Sequence, residues 1–309
     1  KLVAFMEYLF HAMFSVMLFC MVFMLYPRAS ISAKRIMAVL NTETSIENHP
    51  GNAQTDSGSG EHSVIFEHVD FVYPDGEEAV LKDISFSAKS GETVAFIGST
   101  GSGKSSLIQL IPRFYDRASG NIYIDGQKIE DLDINALRSK IGFVPQKAHL
   151  FSGTIEENIR FGKPDATMDE IIHAAKIAQA YDFIMEKPHQ FQEQIVEGAT
   201  NVSGGQKQRL SIARALIRKP EIYIYDDSFS ALDFKTDARL RKALKPEIKN
   251  AIVFLVAQRV STILDADKIV VLDEGKIAGI GTHRELLASC PIYYEIAASQ
   301  LSKEELTYA

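Results

Sequence analysis

The feature that most constrains the fold of this chain of 309 residues is a glycine-rich octapeptide between two apolar segments. A β-type run, Thr93 to Ile97, precedes it, and a run typical of a buried helix, Ser106 to Ile111, follows. The octapeptide itself reads Gly98, Ser99, Thr100, Gly101, Ser102, Gly103, Lys104, Ser105. A strand, a glycine loop and a helix in this order predict a polyphosphate pocket, because backbone N–H groups and the helix N-terminus converge on it.

Within that loop, Lys104 is expected to reach the β- and γ-phosphates and Ser105 to give its hydroxyl to Mg²⁺. A glycine-rich turn that binds nothing is the alternative interpretation. Both flanking segments argue against it, because a phosphate-binding loop requires this order of strand and helix.

Composition describes a globular protein and restricts its partners. Hydrophobic residues make up 46% of the chain and charged residues 24%, which is enough apolar material for an ample core. The net charge of −7 argues against a nucleic-acid partner, since phosphate backbones are bound by basic surfaces. Cys20 and Cys290 match no metal spacing, so a reducing compartment is the simplest interpretation.

An apolar segment near the N-terminus predicts a transmembrane helix. Tyr8 to Pro27 contains no Asp, Glu, Lys or Arg, and twenty helical residues span about 30 Å, the thickness of a bilayer core. Arg28, Lys34 and Arg35 follow it closely, which places that end in the cytoplasm by the positive-inside rule. A cleaved signal peptide and a buried core helix are the alternative interpretations. A signal peptide would export the phosphate-binding domain away from its nucleotide. Few buried core helices are apolar on every face over such a length.

The chain is expected to divide into three parts. Residues 1–40 contain the membrane helix and a helical continuation, residues 41–63 form a polar linker rich in Gly and Ser, and residues 64–309 form the nucleotide-binding domain. One spanning helix cannot form a pathway, so we expect further helices upstream of Lys1 or on other chains. Because the chain starts at Lys1 rather than Met, we expect it to be a fragment of a longer protein.

The nucleotide-binding domain is predicted to be α/β. Short antiparallel strands are expected between Val64 and Ala88, and helical spacing predicts a separate lobe at Asp169 to Met185. Later β-type runs alternate with helices and predict a mainly parallel sheet; they lie at Asn121 to Ile124, Ile222 to Tyr225, Ala251 to Val256 and Lys268 to Leu272.

Two further motifs carry chemistry. Ser203 precedes two glycines and a helix, so it is a candidate N-cap at a helix end that can bind a phosphate, although an ordinary capped helix would look the same. Ile222 to Asp227 is a hydrophobic strand ending in the carboxylates Asp226 and Asp227, an arrangement that holds Mg²⁺ opposite a phosphate loop.

Together these residues resemble the ATPase half of an ATP-binding-cassette (ABC) exporter. The octapeptide is similar to the family's Walker A motif, which Ser106 follows, and Ile222 to Asp227 is similar to its Walker B. Ser230 to Asp233 resembles the D-loop, and Gln146 the Q-loop glutamine, which the resemblance makes a Mg²⁺ ligand and a catalytic residue. The signature motif is matched by Ser203, Gly204, Gly205 and Gln206, and the adenine-stacking aromatic by Tyr73, although a tyrosine packed in a strand is the alternative.

The resemblance implies a head-to-tail pair of such domains that closes around two ATP molecules with Mg²⁺, each site taking Walker A from one chain and the signature from the other. The partner would be a second ABC half-transporter subunit. The protein would lie in the cell membrane as a multi-pass protein, in contact with lipid, with this domain in the cytoplasm. The exported substrate cannot be inferred from these residues.

Two catalytic positions differ from the family. Asp227 stands where a glutamate usually positions the attacking water, and Gln258 stands where a switch histidine is usual. The aspartate side chain is one methylene shorter, so its carboxylate oxygen lies about 1.5 Å short of the position that a glutamate oxygen would reach. A misplacement of about 1 Å can cost about 100-fold in rate. Glutamine donates to a γ-phosphate but cannot carry a proton as histidine does. Harmless drift, or an engineered change, is the alternative.

Since the signature is intact apart from Val202, where leucine is commoner, we hypothesise a heterodimer in which this chain holds its own ATP and completes the partner's competent site. A slow homodimer and a nucleotide-sensing regulatory subunit without transport are alternatives. A soluble ABC ATPase acting on nucleic acid or ribosomes is a further class, against which the apolar N-terminal helix and the net charge count.

Overall fold

The computed structural model describes residues 1–42, 44, 46–48, 62–302 and 306. The chain divides into two compact units, Lys1–Glu47 and Asn48–Ala309. Most of the expected linker, residues 41–63, lies outside the described residues. The three-part division of the chain therefore stays a prediction.

The first unit contains one long apolar helix, α1 (Leu2–Leu40). Its mean hydropathy reaches 2.1 over 18 residues, and its apolar side chains are exposed along its length. The sequence predicted a membrane-spanning stretch and a helical continuation, and α1 unites the two, with Pro27 inside it. A helix of 39 residues is about 58 Å long, which is more than the thickness of a bilayer core.

The second unit contains strands in two main sheets and a short pair. The strands are β1 (Ser63–Phe71), β2 (Leu81–Lys89), β3 (Thr93–Gly98), β4 (Ser119–Ile124), β5 (Gln127–Lys128), β6 (Ile141–Val144), β7 (Gly153–Thr154), β8 (Gln194–Ile195), β9 (Ile222–Asp226), β10 (Ile252–Val256), β11 (Lys268–Asp273) and β12 (Lys276–Gly281).

The central sheet is mainly parallel, as the sequence predicted. Over the described residues it has six strands in the order β12-β11-β3-β10-β9-β6, and all neighbours are parallel except β11 and β12. Its interior strands β3, β9, β10 and β11 read as apolar runs because both of their faces are covered, whereas the edge strand β12 is partly exposed. β3 is an interior strand, so the loop that follows it lies in the middle of one edge of the sheet.

One strand was assigned to the wrong sheet. The run Asn121 to Ile124 was expected in the parallel core, but β4 pairs antiparallel with β1 in the sheet β2-β1-β4-β5. Apolar residues alternate with polar or part-exposed ones along β1 and β4, a pattern typical of an antiparallel sheet with one solvated face. Sequence order alone does not show which strand another will pair with.

The helices of the second unit pack on the central sheet and on one another. They are α2 (Lys104–Leu110), α3 (Ile134–Ser139), α4 (Ile155–Arg160), α5 (Met168–Ile177), α6 (Tyr181–Met185), α7 (Gly204–Leu216), α8 (Phe234–Glu247), α9 (His283–Ser289) and α10 (Pro291–Ala298). The helical stretch predicted at Asp169 to Met185 is two helices, α5 and α6. Gln179 separates them with a φ of +55°, which an α-helix cannot continue through.

Two hydrophobic clusters lie on opposite faces of the central sheet. Ala95 and Ile97 of β3 belong to one cluster, whereas Val94 and Phe96 belong to the other, as expected for side chains that alternate along a strand. All four side chains are buried. This packing holds the ends of β3, β9 and β10 in a fixed relation, and the residues after those ends form the candidate site.

Candidate functional site

The phosphate loop, residues 98–105, joins the end of β3 to the start of α2. Two of its glycines leave no room for a side chain. A Cβ on Gly98 would lie 2.0 Å from the Leu272 carbonyl oxygen, and one on Gly103 would lie 2.6 Å from a methyl carbon of Leu81. Gly103 also has a φ of +95°, which glycine adopts without steric cost. The octapeptide therefore folds into a tight cradle that its glycines make possible.

Lys104 lies with its ammonium group inside this cradle. Its Nζ donates to the carbonyl oxygens of Gly98 at 3.0 Å and Ser99 at 2.7 Å, and to Ser102 Oγ at 3.2 Å. Burial lowers the pKa of Lys104, and the nearby carboxylates of Asp227 and Asp226 oppose this shift. A partly desolvated ammonium group gains free energy from an anion beside it. The cradle is thus suited to a phosphate group.

Asp226 ends β9 and lies beside the phosphate loop. Ser105 Oγ donates to Asp226 Oδ1 at 2.9 Å, across 121 residues of sequence. Burial raises the pKa of Asp226, the neighbouring charge of Asp227 raises it further, and the bond from Ser105 opposes the shift. A hydroxyl and a carboxylate oxygen are the hard ligands that Mg²⁺ prefers, so the two residues fit the predicted magnesium role.

Replacing Asp226 with asparagine is expected to raise the melting temperature of the nucleotide-free protein at neutral pH by about 3 °C, since a buried charge is removed. The folded-state pKa is raised, so the charge destabilises the fold above that pKa and has no effect where the carboxyl is protonated in both states. The gain should therefore shrink as pH falls toward 4. Thermal unfolding across pH measures it.

Asp133→Asn is the matched control, because hydrogen bonds to the Asp133 carboxylate lower its pKa instead of raising it. This variant should show no gain at neutral pH. A lower melting temperature for Asp226→Asn would contradict the argument.

Asp227 is held by two amide side chains. Its Oδ2 accepts from Gln146 Nε2 at 3.1 Å and from Gln258 Nε2 at 2.6 Å. The residue has a φ of +46°, a left-handed conformation that aspartate tolerates better than longer side chains. Burial raises the pKa of Asp227, and the bond from Gln146 opposes the shift. One oxygen of the carboxylate is therefore already engaged by both glutamines.

The signature residues form a complete capping box at the start of α7. Ser203 Oγ accepts from the Gln206 backbone N–H at 3.3 Å, and Gln206 Oε1 accepts from the Ser203 backbone N–H at 3.0 Å. A Cβ on Gly204 would meet nothing within 4 Å, whereas one on Gly205 would lie 3.2 Å from the Ala231 carbonyl oxygen. In the described part of the chain, no hydrogen bond joins these four residues to the phosphate loop.

Tyr73 follows β1, and its side chain contacts the first turn of α2. Its hydroxyl is 2.8 Å from Ser106 Oγ, and its ring packs edge-on against Phe71 and Tyr115, with centroids 4.7 Å and 5.1 Å away. Both predicted ligand residues, Tyr73 and Ser106, thus contact each other near the cradle. Stacking of adenine on Tyr73 stays a prediction.

Sequence reasoning missed two supporting residues. Gln208 is buried and donates to the Pro145 carbonyl oxygen at 3.1 Å, which ties α7 to the residue before Gln146. Ser228 Oγ donates to the Val144 carbonyl oxygen at 2.9 Å. A polar residue inside a helix or after a strand carries no local signal for such contacts.

Comparison with known proteins agrees with this geometry. The family model described as "ABC transporter" matches residues 81–230. The protein "Uncharacterized ABC transporter ATP-binding protein YfiB" of Bacillus subtilis (strain 168) is 45% identical over 287 residues, which is 93% of this chain and 49% of that protein. A Staphylococcus aureus (strain NCTC 8325 / PS 47) protein named "Putative multidrug export ATP-binding/permease protein" is 48% identical over 77% of this chain and 41% of its own length.

A solved structure is also similar. "Structure of a bacterial Atm1-family ABC exporter with ATP bound" superimposes with a TM-score of 0.84 and 35% identity, over 92% of this chain and 49% of that one. The chain spans about half the length of the relatives and the structure that it matches. Strand order, glycine cradle and sequence similarity agree, and the chain therefore belongs to the ABC transporter family.

Proposed function

We propose that this chain is part of one subunit of an ABC exporter, in which ATP binding and hydrolysis drive a substrate across a membrane. α1 serves as a membrane-spanning helix of a multi-pass transmembrane domain, and the second unit binds Mg·ATP on the cytoplasmic side. The printed names of the relatives, which include export, support this assignment.

In this proposal each residue of the ATP site has a separate role. The phosphate loop binds the phosphates through backbone N–H groups and Lys104, and the Tyr73 ring stacks on the adenine. Ser105, Asp226 and Gln146 would hold Mg²⁺, which would supply positive charge against the phosphates. Lys104 and the N-terminus of α2 add the remaining positive potential.

We further propose that this chain's own site hydrolyses ATP slowly, whereas its signature completes a competent site on the partner. The observation that carries this proposal is the engagement of Asp227 Oδ2 by both Gln146 and Gln258. A general base must accept a hydrogen bond from the attacking water. Asp227 has a short side chain that already accepts two amides, and Gln258 cannot accept a proton in the neutral range.

The partner in this proposal is a second ABC half-transporter subunit that carries the usual glutamate and histidine. The capping box of α7 supports it, because an intact helix N-terminus is available to a phosphate bound elsewhere. A heterodimer thus hydrolyses ATP mainly at the site made of the partner's Walker A and this chain's signature.

Restoring the two altered side chains is expected to restore hydrolysis at this chain's site. In the pair whose partner lacks its catalytic glutamate, ATPase activity should be low, and Asp227→Glu combined with Gln258→His should raise it about tenfold or more. Steady-state phosphate release measures this. Asp227→Glu alone should give less, because the amide of Gln258 still engages the carboxylate.

Gln258→His alone is the matched control and should change the rate little, since the short Asp227 side chain remains. If removing the partner's glutamate leaves the rate of the unsubstituted pair unchanged, the proposed asymmetry is wrong. Pairing of the purified chain with itself on ATP would instead favour a slow homodimer.

A further inference from the structure

One side chain outside the nucleotide site bonds to the backbone of the switch loop, which we define as Ala257–Val260. Gln300 Oε1 accepts from the Val260 backbone N–H at 2.8 Å, and Gln300 Nε2 donates to the Gln258 carbonyl oxygen at 2.9 Å. The two bonds lie on either side of Arg259. A single amide therefore holds both peptide groups that flank this residue.

Other contacts also hold the switch loop at both ends: the Thr262 N–H donates to the Arg259 carbonyl oxygen at 3.1 Å, and the Val260 side chain is fully buried. The Ala257 N–H donates to the Phe96 carbonyl oxygen at 3.1 Å, which fixes the start of the loop to β3. The Arg259 guanidinium lies 5.0 Å from the centroid of the exposed Phe234 ring. Between these anchors, the bonds from Gln300 fix the peptide that carries the Gln258 side chain.

Gln300 is itself well placed to act as a fixed support. It follows α10, whose residues Tyr293 and Ala297 are fully buried. The backbone N–H groups of Gln300 and Leu301 both donate to the Ala297 carbonyl oxygen, at 3.0 Å and 2.8 Å. The backbone of Gln300 is thus tied to the end of α10, while the residue itself is exposed and its side chain bonds to the switch loop.

We propose that Gln300 is a positioning residue for Gln258 and thereby sets how this site distinguishes ATP from ADP. Gln258 Nε2 donates one N–H to Asp227 and keeps a second for the γ-phosphate. Holding the peptide of Gln258 holds that second donor in place. This inference rests on the proposed function, since it requires Mg·ATP in this chain's own site.

The test compares affinities for Mg·ATP and Mg·ADP in the full-length protein by equilibrium dialysis with radiolabelled nucleotide. Gln300→Met keeps the length of the side chain and removes both hydrogen bonds. It is expected to weaken Mg·ATP binding about fivefold and to leave Mg·ADP binding unchanged, because ADP has no γ-phosphate. Ser299→Ala is the matched control: among the described residues, Ser299 Oγ bonds to the Ile296 carbonyl oxygen alone, so neither affinity should change.

A double substitution separates positioning from general destabilisation. If Gln300 acts through Gln258, then adding Gln300→Met to Gln258→Ala should weaken Mg·ATP binding no further. Equal losses of ATP and ADP affinity, or additive effects of the two substitutions, would overturn the inference while leaving the proposed function intact. If the unsubstituted protein does not retain Mg·ATP, the proposed function fails, and the role assigned to Gln300 fails with it.

Discussion

Full-length protein carrying Lys104→Ala is expected to bind Mg·ATP about 100-fold more weakly than the unsubstituted protein. The Lys104 ammonium group is the cation inside the phosphate loop, and its three present partners are uncharged oxygens that a phosphate can replace. Hydrogen bonds from an ammonium group to phosphate contribute about 1.5–3 kcal/mol, and about 3 kcal/mol corresponds to roughly 100-fold in affinity. Equilibrium dialysis with radiolabelled ATP gives the value directly.

Lys163→Ala is the matched control for this experiment. Lys163 pairs with Glu170 of α5 at 2.6 Å and has no role in the phosphate loop, so nucleotide affinity should not change. The melting temperature of both variants should be recorded, since Lys104 also bonds the loop backbone. A folded Lys104→Ala protein that still binds Mg·ATP within about threefold of normal would refute the proposed site.

Gly204→Asp is expected to lower the ATPase rate of the paired subunits about 100-fold without destabilising the fold. The new side chain has room, because a Cβ on Gly204 meets nothing within 4 Å. Position 204 is the first residue of α7, where a carboxylate stabilises a helix by about 0.3–1 kcal/mol. The same carboxylate would repel the phosphate that the helix N-terminus is proposed to bind on the partner's ATP. Phosphate release and thermal unfolding are measured together.

The matched control places the same charge on another capped helix. Met168 is the first residue of α5, and Thr167 and Glu170 form a capping box there as Ser203 and Gln206 do on α7. Met168→Asp should keep both stability and ATPase rate. Should Gly204→Asp leave the rate within about threefold of normal, the signature helix does not face a phosphate.

The phosphate loop and the Walker B strand were predictable because their signals are local. Glycines at fixed spacing between an apolar strand and a helix allow few other structures, and the structure has β3, the loop and α2 in that order. The helix α1 was predictable for a similar reason, since an uninterrupted apolar segment shows no polar face. These elements follow from the preferences of short segments.

The placement of β4 and the break between α5 and α6 were not predictable in this way. β4 reads as a strand in either sheet, and only its pairing with β1 decides which one it joins. The break at Gln179 lies within a stretch whose apolar spacing continues through it. Local pattern describes a segment, whereas pairing depends on which neighbour the rest of the chain presents.

The sequence by itself determined that this chain carries an apolar helix and a cradle for polyphosphate, and it identified Asp227 and Gln258 as the altered positions. Only the tertiary structure decided that these two residues bond to each other and that Gln146 donates to the same carboxylate oxygen. It also decided that Gln300 bonds to the backbone of the switch loop. The bonds join residues 31, 81 and 42 positions apart. Contacts over such distances form when the packed strands β3, β9 and β10 bring their ends together, because no short segment can specify its partner across the sheet.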